Sequence, residues 1–507
     1  MPSDQPSAAP PHRPGTTLLT ACFGTLLVLI DYTAPLTTLG PTASALRLGT
    51  TAQTWVLTGT LVGLAALLLT TGSLADDFGR KRVFSAGALL LLLSTGMSAL
   101  ASGPAVFLAG RVLQGCAAAA ILAPSLGLIG HAYPAGPARV KALGHWGASV
   151  GLGIAVGPVY AALVERSVGW RSVYALLAGL AVLLLVLSAF GLTESRNERG
   201  RRLDLLGVLA LAGGSSCLIA GLAEGRSGWD RTGVVLLLVL GVLLLAVFVL
   251  VESRVREPML DLALFRSPGF VAAGSGALFT GLSIVGLFSY LPIVLQKALG
   301  ETPATAAWVL AIWSGLSVVA ALQSRRLAAR VTATTQLAGA LLLCGIGEAA
   351  LYGLHAHGSW TPLIPGLVVA GIGSGVLNAG LARLAVSSVP ADRAAMGSGA
   401  NNTARYLGSA LGVAVMITVV SQSRSARGPA VAAATGANHA VLVAALFCVV
   451  GAAIALWARI AESRAARRSS AGPSLPVAGL TAADGVVRAV GGETDDSRAT
   501  TRASMGG

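Results

Sequence analysis

Long apolar segments, separated by short polar connections, make up most of this sequence. About 20 apolar residues are enough to cross the hydrocarbon core of a bilayer as a helix. Lipid offers the backbone no hydrogen bonds, and the alternating pattern of a membrane β-barrel is absent, so each segment is predicted to be a helix. The sequence predicts fourteen membrane spans, at residues 16–39, 53–74, 83–101, 104–130, 142–164, 172–192, 204–223, 232–251, 270–295, 303–322, 335–354, 361–382, 396–420 and 438–459.

The composition excludes a water-soluble enzyme and gives no indication of a nucleic-acid partner. Of the 507 residues, 54% are hydrophobic and 11% are charged, whereas about 25% are charged in a typical soluble domain. The formal net charge of +14 comes from short basic clusters between apolar segments. No phosphate-binding loop or zinc-protease signature is present, and the one GxSxG match, residues 147–151, lies in an apolar helix. We therefore expect no enzyme activity and no metal ion.

The basic residues predict how the chain is oriented. The connections that follow even-numbered spans, together with the two tails, hold most of the lysines and arginines. Because basic connections stay in the cytoplasm, both termini are predicted to be cytoplasmic. Residues 1–15 and 461–507 lack apolar periodicity and are predicted to be disordered tails. The abundance of alanine, glycine and leucine is typical of a high-GC bacterium, which indicates the bacterial inner membrane.

Charged residues inside the spans are candidates for function, because each costs about 2.5–3.5 kcal/mol at the bilayer centre. Asp31, in the first span, could bind and release a proton or cation. The alternative is a structural ion pair or a helix-end charge that faces water. Arg111 and Gln114 share one face of the fourth span. Arg111 could assist proton release from a nearby carboxylate, or it could anchor backbone carbonyls.

Two further charges lie in later spans. Glu348 is about two turns from the outer end of its span, where it could bind a cationic substrate or a second proton, or extend to the outer surface. Arg405 follows Asn401 by one turn on the same face and could be structural or bind substrate. In the fifth span, residues 153–158 (GIAVGP) combine a helix-kinking proline with glycines that allow close packing, although an ordinary membrane proline with incidental glycines would look the same.

Considered together, these residues resemble the major facilitator superfamily, and more narrowly its fourteen-helix drug:proton antiporters. Residues 72–82 (GSLADDFGRKR) are similar to the family motif between spans 2 and 3, and residues 108–118 to its motif in span 4. Residues 153–158 are similar to its antiporter motif. The first span, the start of the sixth and the thirteenth also resemble this group, through Asp31, Thr33, Pro41, Trp170, Arg171 and residues 397–412.

The resemblance implies an all-α membrane protein with the major facilitator fold. An N-terminal six-helix bundle would occupy residues 16–192, an extra helix pair residues 204–251 and a C-terminal six-helix bundle residues 270–459. The implied function is proton-coupled efflux of a small amphipathic molecule, a drug or antibiotic, by alternating access. The proton gradient would drive it without a cofactor. Its partners would be the substrate, protons and the lipid bilayer, and we expect a monomer.

The resemblance also implies residue roles. Asp31 and Arg111 would couple protons, and the substrate would be bound by Asp31, Gln114, Glu348, Asn401 and Arg405. The loop motif would latch the cytoplasmic side shut, and the antiporter motif would prevent leak. The residues expected to control conformation are Gly72, Asp76, Gly79, Arg80, Lys81, Arg82, Gly153, Gly157 and Pro158.

Three positions depart from the family pattern. Asp77 stands where a basic residue is usual, and Ala161 and Ala162 replace a glycine pair. The second-half counterpart of the loop motif, residues 321–331 (ALQSRRLAARV), keeps basic residues but has neither the glycines nor the aspartate.

Two other functions fit a chain with many membrane spans. One is proton-coupled import of a small nutrient, which the antiporter motif disfavours, and the other is a receptor or scaffold, for which the tail offers no foldable domain.

Overall fold

A computed structural model describes residues 14–196, 204–225, 228–255, 258–423, 425 and 428–470, and within these ranges the secondary structure is helical, with no strand. The predicted tail segments 1–13 and 471–507 lie outside the described residues. The helices, in chain order, are α1 (Pro14–Thr33), α2 (Pro35–Ala45), α3 (Thr50–Phe78), α4 (Arg80–Ala99), α5 (Pro104–Ala132), α6 (Pro137–Val168), α7 (Trp170–Gly191), α8 (Leu205–Glu224), α9 (Thr232–Glu252), α10 (Pro268–Thr280), α11 (Gly286–Val294), α12 (Pro303–Ala328), α13 (Ala333–Ala349), α14 (Ile364–Ser387), α15 (Ala394–Gln422) and α16 (Pro429–Ser470).

Each of the fourteen predicted spans falls on helix, although the span predicted at residues 335–354 extends past the end of α13 at Ala349. Thirteen helical segments of the described chain are long and apolar enough to cross a membrane, and α13, with 17 residues, accounts for the one remaining span, at residues 335–354. The first span is two helices, α1 and α2, because Pro35 has no amide hydrogen to donate to the carbonyl of Asp31, although Ala34 between the helices keeps helical backbone angles. The ninth span joins α10 to α11 through a π-helical segment, Gly281–Val285, and continues through a second, Leu295–Leu299.

The helix ends differ from the prediction at both tails. The first helix begins at Pro14, so residues 14 and 15 are helical rather than part of a tail. The last helix extends to Ser470, so the first ten residues of the predicted tail, 461–470, are helical. The sequence there, AESRAARRSS, contains alanine, glutamate and arginine, which favour helix.

Two apolar cores divide the membrane region into halves. The first is built mainly from α1–α7, with Phe84, Phe107 and Tyr174 among its buried side chains. The second is built from α10–α16 and includes Phe288 and Trp313, whose rings stack with centroids 4.3 Å apart. The extra pair lies beside both halves: α8 packs against α3 and α15, and α9 packs against α8. This arrangement is the predicted fold, two six-helix bundles with an additional helix pair.

Four connections lie on one face of the molecule, which we call the basic face: α3–α4, α5–α6, α12–α13 and α14–α15. Arg80, at the start of α4, donates hydrogen bonds to the carbonyls of Ala391 and Asp392 before α15. Arg383, near the end of α14, donates to the carbonyl of Val331 before α13. A Cβ added to Gly130, near the end of α5, would lie 3.1 Å from Val386 of α14. The two halves therefore meet at this face.

Candidate functional site

Asp31 lies near the end of α1, three residues before the break at Ala34, and its side chain is buried. Its Oδ2 is 3.5 Å from Nη1 of Arg111 on α5, which forms an ion pair across two helices. Its Oδ1 is also buried and has no hydrogen-bond partner among the described residues. One carboxylate oxygen is thus held by a cation and the other is available to a proton or ligand.

Arg111 is held by neutral groups as well as by the carboxylate. Its Nε donates to the carbonyl of Val56 at 3.1 Å, and its Nη1 donates to the backbone carbonyl of Asp31 at 3.2 Å. Nη1 also donates to the side chain of Gln114, one turn further along α5. Nη2 is buried without a partner in the described chain. Three neutral oxygens therefore hold the guanidinium in addition to the carboxylate of Asp31.

Gln114 extends this network to a third helix. Its amide nitrogen donates to the hydroxyl of Ser98 at 3.0 Å and to the carbonyl of Ser94 at 3.4 Å, both on α4. Small residues bring the neighbouring helix close, since a Cβ at Gly59 of α3 would lie 3.3 Å from the Cβ of Arg111. The sequence-predicted residues Asp31, Arg111 and Gln114 form one buried group, which we call the Asp31 cluster.

Arg405 approaches the Asp31 cluster through two tyrosines. The rings of Tyr32 and Tyr406 meet edge to face, with centroids 6.4 Å apart, and join α1 to α15. The guanidinium of Arg405 lies over the ring of Tyr406, 5.1 Å from its centroid, and donates to Asn402 at 2.8 Å. Asn401 points elsewhere, because its side-chain amide donates to the carbonyl of Ala273 on α10.

Glu348 is buried within the second half and is not part of the Asp31 cluster. Its Oε2 is 2.6 Å from the hydroxyl of Ser283 in the π-helical segment between α10 and α11. The same hydroxyl is 2.7 Å from the carbonyl of Ala444 and 3.3 Å from the thiol of Cys448, both on α16. The side chain does not extend to the outer surface, since the residue is fully buried.

Asp76 joins the two halves at the basic face. Its carboxylate accepts hydrogen bonds from the backbone amides of Ala395 and Met396, at 3.2 and 2.7 Å, in the first turn of α15. Arg80 donates to the same carboxylate at 2.6 and 2.8 Å. A negative charge is favourable at a helix N-terminus, where backbone amides lack partners within the helix. Gly72 lets α3 reach this helix, because a Cβ there would meet the carbonyl of Ala395 at 2.5 Å.

The turn between α3 and α4 explains the remaining residues of this motif. Gly79 has φ +121°, a conformation that L side chains rarely adopt, and any Cβ would also meet the carboxylate of Glu194. Glu194 accepts a hydrogen bond from the amide of Lys81 at 3.1 Å and lies 3.6 Å from Arg82. The ammonium of Lys81 donates to the carbonyl of Ala189 at 2.7 Å. These contacts fix α4 to the end of α7.

The glycines of residues 153–158 bring α6 against α1. A Cβ at Gly153 would lie 2.5 Å from the Cβ of Leu29, and one at Gly157 would overlap the hydroxyl of Thr33 and lie 3.1 Å from the Cα of Ile30. The carbonyl of Pro158 accepts a hydrogen bond from Thr37 of α2 at 3.3 Å. The motif therefore determines how closely α6 packs against the helix that carries Asp31.

Several residues of these sites gave no signal in the sequence. Ala395 and Met396 contribute backbone amides, which any residue type could supply. Tyr32 and Tyr406 are ordinary aromatic residues of apolar helices, and their pairing is visible only once α1 and α15 are packed. Glu194 carried a weak signal, as an acid beside a predicted span end that could neutralise the basic motif.

Comparisons of the sequence and of the fold with known proteins agree with one another. The sequence profile of the Major Facilitator Superfamily matches residues 21–413. The chain is 34% identical to the puromycin resistance protein pur8 of Streptomyces alboniger over 84% of this chain and 86% of that protein. It is 29% identical to the multidrug resistance protein Stp of Mycobacterium tuberculosis over 81% and 76% of the two chains. The human organic anion transporter MFSD10 has a similar fold, with a TM-score of 0.63, 18% identity, and coverage of 88% of this chain and 100% of that one.

Proposed function

The chain belongs to the Major Facilitator Superfamily, and from this premise we propose that it exports a small amphipathic molecule, a drug or antibiotic, in exchange for protons. Its family is one of multi-pass membrane transporters rather than enzymes. Relatives named for resistance to puromycin and to multiple drugs support export of a xenobiotic or antibiotic.

The Asp31 cluster is the observation that carries proton coupling. A carboxylate buried beside one guanidinium has two states of different charge: an ion pair when Asp31 is ionised and a lone arginine cation when Asp31 is protonated. Burying an unpaired charge is expensive, so each state favours a different surrounding structure. Protonation of Asp31 favours one orientation of the two halves, and the substrate competes with that proton or displaces it.

The substrate site is proposed to lie between the halves, around the Asp31 cluster. Gln114 and Arg405 contribute polar groups, and Tyr32 and Tyr406 contribute aromatic faces suited to an amphipathic molecule. Asn401 lies one turn from Arg405 and joins the site when α15 moves relative to α10. Glu348 contacts a separate group, so proton coupling is assigned to the Asp31 cluster alone.

The basic face is proposed to be cytoplasmic, with both termini on that side, because basic connections remain in the cytoplasm. The contacts of Asp76 with α15 then hold the cytoplasmic side closed, which corresponds to the conformation open to the outside. Close packing of α6 on α1 through Gly153 and Gly157 limits leak. The driving force is adequate, since one charge crossing 100 mV is worth about 2.3 kcal/mol, or roughly a fiftyfold concentration ratio at about 1.4 kcal/mol per factor of ten.

Transport in everted vesicles tests this proposal. A resistance screen in a pump-deficient host, beginning with puromycin, identifies a substrate. We expect that substrate to accumulate in everted vesicles under an imposed pH gradient and to be lost on addition of an uncoupler. The variant Asp31→Asn should abolish accumulation. The same chemical change at an exposed residue, Asp230→Asn, should leave it intact.

The alternatives give different results in the same vesicles. An importer would move substrate out of everted vesicles when the gradient is imposed. A receptor or scaffold would bind without transport. Accumulation by Asp31→Asn at the wild-type rate would overturn the assignment of the coupling residue.

A further inference from the structure

A cavity of about 840 Å³ opens on the basic face between the α5–α6 connection of the first half and the ends of α12 and α14 of the second. None of its fifteen lining residues is aspartate or glutamate. Five of them are basic: Arg139, Lys141, Arg325, Arg326 and Arg383. Small and apolar residues form the rest of the wall, apart from Ser387.

These five cations have no carboxylate partner in the described part of the chain. Arg139 donates to the carbonyls of Tyr133 and Gly130, both at 2.7 Å. Arg383 donates, at 3.4–3.5 Å, to two backbone carbonyls and to the side-chain oxygen of Gln336. These acceptors are neutral, so they orient the guanidinium groups without cancelling their charge. Like charges gathered around one cavity repel, and an anion placed among them relieves that repulsion.

The place in the first half that corresponds to this cavity contains an acidic side chain, that of Asp76. Aligning residues 72–82 with residues 321–331 places Arg325 where Asp76 stands and Arg326 where Asp77 stands. The helices agree with this alignment: Gly72 packs against α15 of the other half, and the carbonyl of Ala321 would lie 3.1 Å from a Cβ at Gly144 on α6. Asp76 bridges Arg80 and the backbone of α15. At the second place the described residues supply cations from both halves, and no acid among the lining residues bridges them.

We propose that this cavity binds the phosphate headgroup of an anionic phospholipid, which bridges the two halves as Asp76 does at another place on the basic face. The headgroup contacts Lys141 and Arg139 from the first half and Arg325, Arg326 and Arg383 from the second. Apolar wall residues such as Leu143 and Val386 suit the glycerol and first acyl carbons.

A membrane source of the ligand fits the location of the cavity, because Leu322 and Leu327 beside the cavity are apolar and exposed on α12. Basic residues at an anionic membrane surface each gain about 1 kcal/mol.

Lipid binding to the full-length protein tests this site. Purified protein in a neutral detergent is titrated with short-chain phosphatidylglycerol, and binding is followed by native mass spectrometry and by the apparent melting temperature. Phosphatidylcholine, inorganic phosphate and glycerol phosphate form three separate arms. We expect saturable binding of phosphatidylglycerol that raises the melting temperature, and no saturable effect in the other arms.

Charge-matched variants make the test specific. The double variant Arg325→Gln/Arg326→Gln removes two cations of the cavity, and Arg266→Gln/Arg330→Gln removes two exposed cations that do not line it. We expect at least tenfold weaker phosphatidylglycerol binding in the first and less than a twofold change in the second. Lys141→Gln, on the opposite wall, should also weaken binding.

Other results would overturn the proposal. Equal loss in both double variants would indicate a nonspecific charged surface. Stabilisation by inorganic phosphate or glycerol phosphate equal to that by phosphatidylglycerol would indicate a soluble anion rather than a lipid. The outcome is independent of transport, so it stands or fails separately from proton-coupled export.

Discussion

Asp31 and Glu348 are both buried acids inside the membrane region, one in each half, but their surroundings differ. Asp31 lies 3.5 Å from the guanidinium of Arg111, and its second oxygen has no partner in the described residues. Glu348 also has one buried oxygen, Oε1, without a partner in the described residues, but its other oxygen contacts a hydroxyl and the residue has no ion pair within the described chain. Asp31 is therefore paired with a cation, whereas Glu348 is paired with a neutral hydroxyl.

The number of hydrogens at the Ser283 hydroxyl shows which protonation state of Glu348 fits its contacts. The hydroxyl is 2.6 Å from Oε2 of Glu348 and 2.7 Å from the carbonyl of Ala444, yet it carries a single hydrogen. Ala444 can only accept. A neutral Glu348 that donates to Ser283, which in turn donates to Ala444, accounts for these two contacts of the hydroxyl, and Cys448 can donate to its remaining lone pair. Burial is common to both acids, so the proposed assignment of proton coupling to Asp31 rests on the nearby guanidinium of Arg111 and not on burial alone.

The largest effect should come from the cation of the Asp31 cluster. Removing one member of a buried ion pair leaves the other uncompensated, at a cost of about 3–5 kcal/mol. In Arg111→Gln we expect transport to fall by at least about 100-fold, equivalent to about 2.7 kcal/mol in a rate. The measurement is initial uptake in everted vesicles, with Arg166→Gln, at an exposed arginine, as control.

The double variant Asp31→Asn/Arg111→Gln sharpens this result. It should recover part of the stability lost in Arg111→Gln, because the unpaired carboxylate is gone, but not transport. Uptake by Arg111→Gln above half the wild-type rate would break the contrast between the two acids.

An intermediate effect should follow from packing beside each acid. In Gly157→Ala the new methyl group overlaps the hydroxyl of Thr33, whereas in Gly345→Ala, near Glu348, it lies 3.0 Å from the Cβ of Cys448. Overpacking costs about 1–3 kcal/mol, so we expect about tenfold slower uptake in the first variant and less than about a twofold change in the second. Adding Thr33→Ala to Gly157→Ala should restore part of the rate. Equal loss in the two single variants would show that packing around Asp31 has no special role.

The smallest effect should come from Glu348 itself. In Glu348→Gln the amide can donate to Ser283 as a neutral acid does, so the free energy of unfolding should change by less than about 1 kcal/mol. Uptake should stay within about twofold of wild type. Thermal unfolding and vesicle uptake together check this, and loss of proton-driven uptake with stability intact would instead make Glu348 a second coupling residue.

The sequence predicted the helices well because hydrophobicity alone decides which segments enter a membrane. It also grouped Arg111 with Gln114, since their spacing on one helix is regular. It could not place Glu348, because α13 is apolar on all sides and its sequence does not show which neighbour each face meets. The contacts of Asp76 were also beyond prediction, since they depend on backbone amides of a helix over 300 residues away.

Proton release from the purified protein tests the central claim most directly. Substrate is added to protein in weakly buffered detergent solution, and a pH indicator records the protons released. We expect release by wild type and by Asp230→Asn, and none by Asp31→Asn at substrate concentrations that saturate binding. Equal release by Asp31→Asn and wild type would contradict the account, because the proton exchanged for substrate would then come from another group.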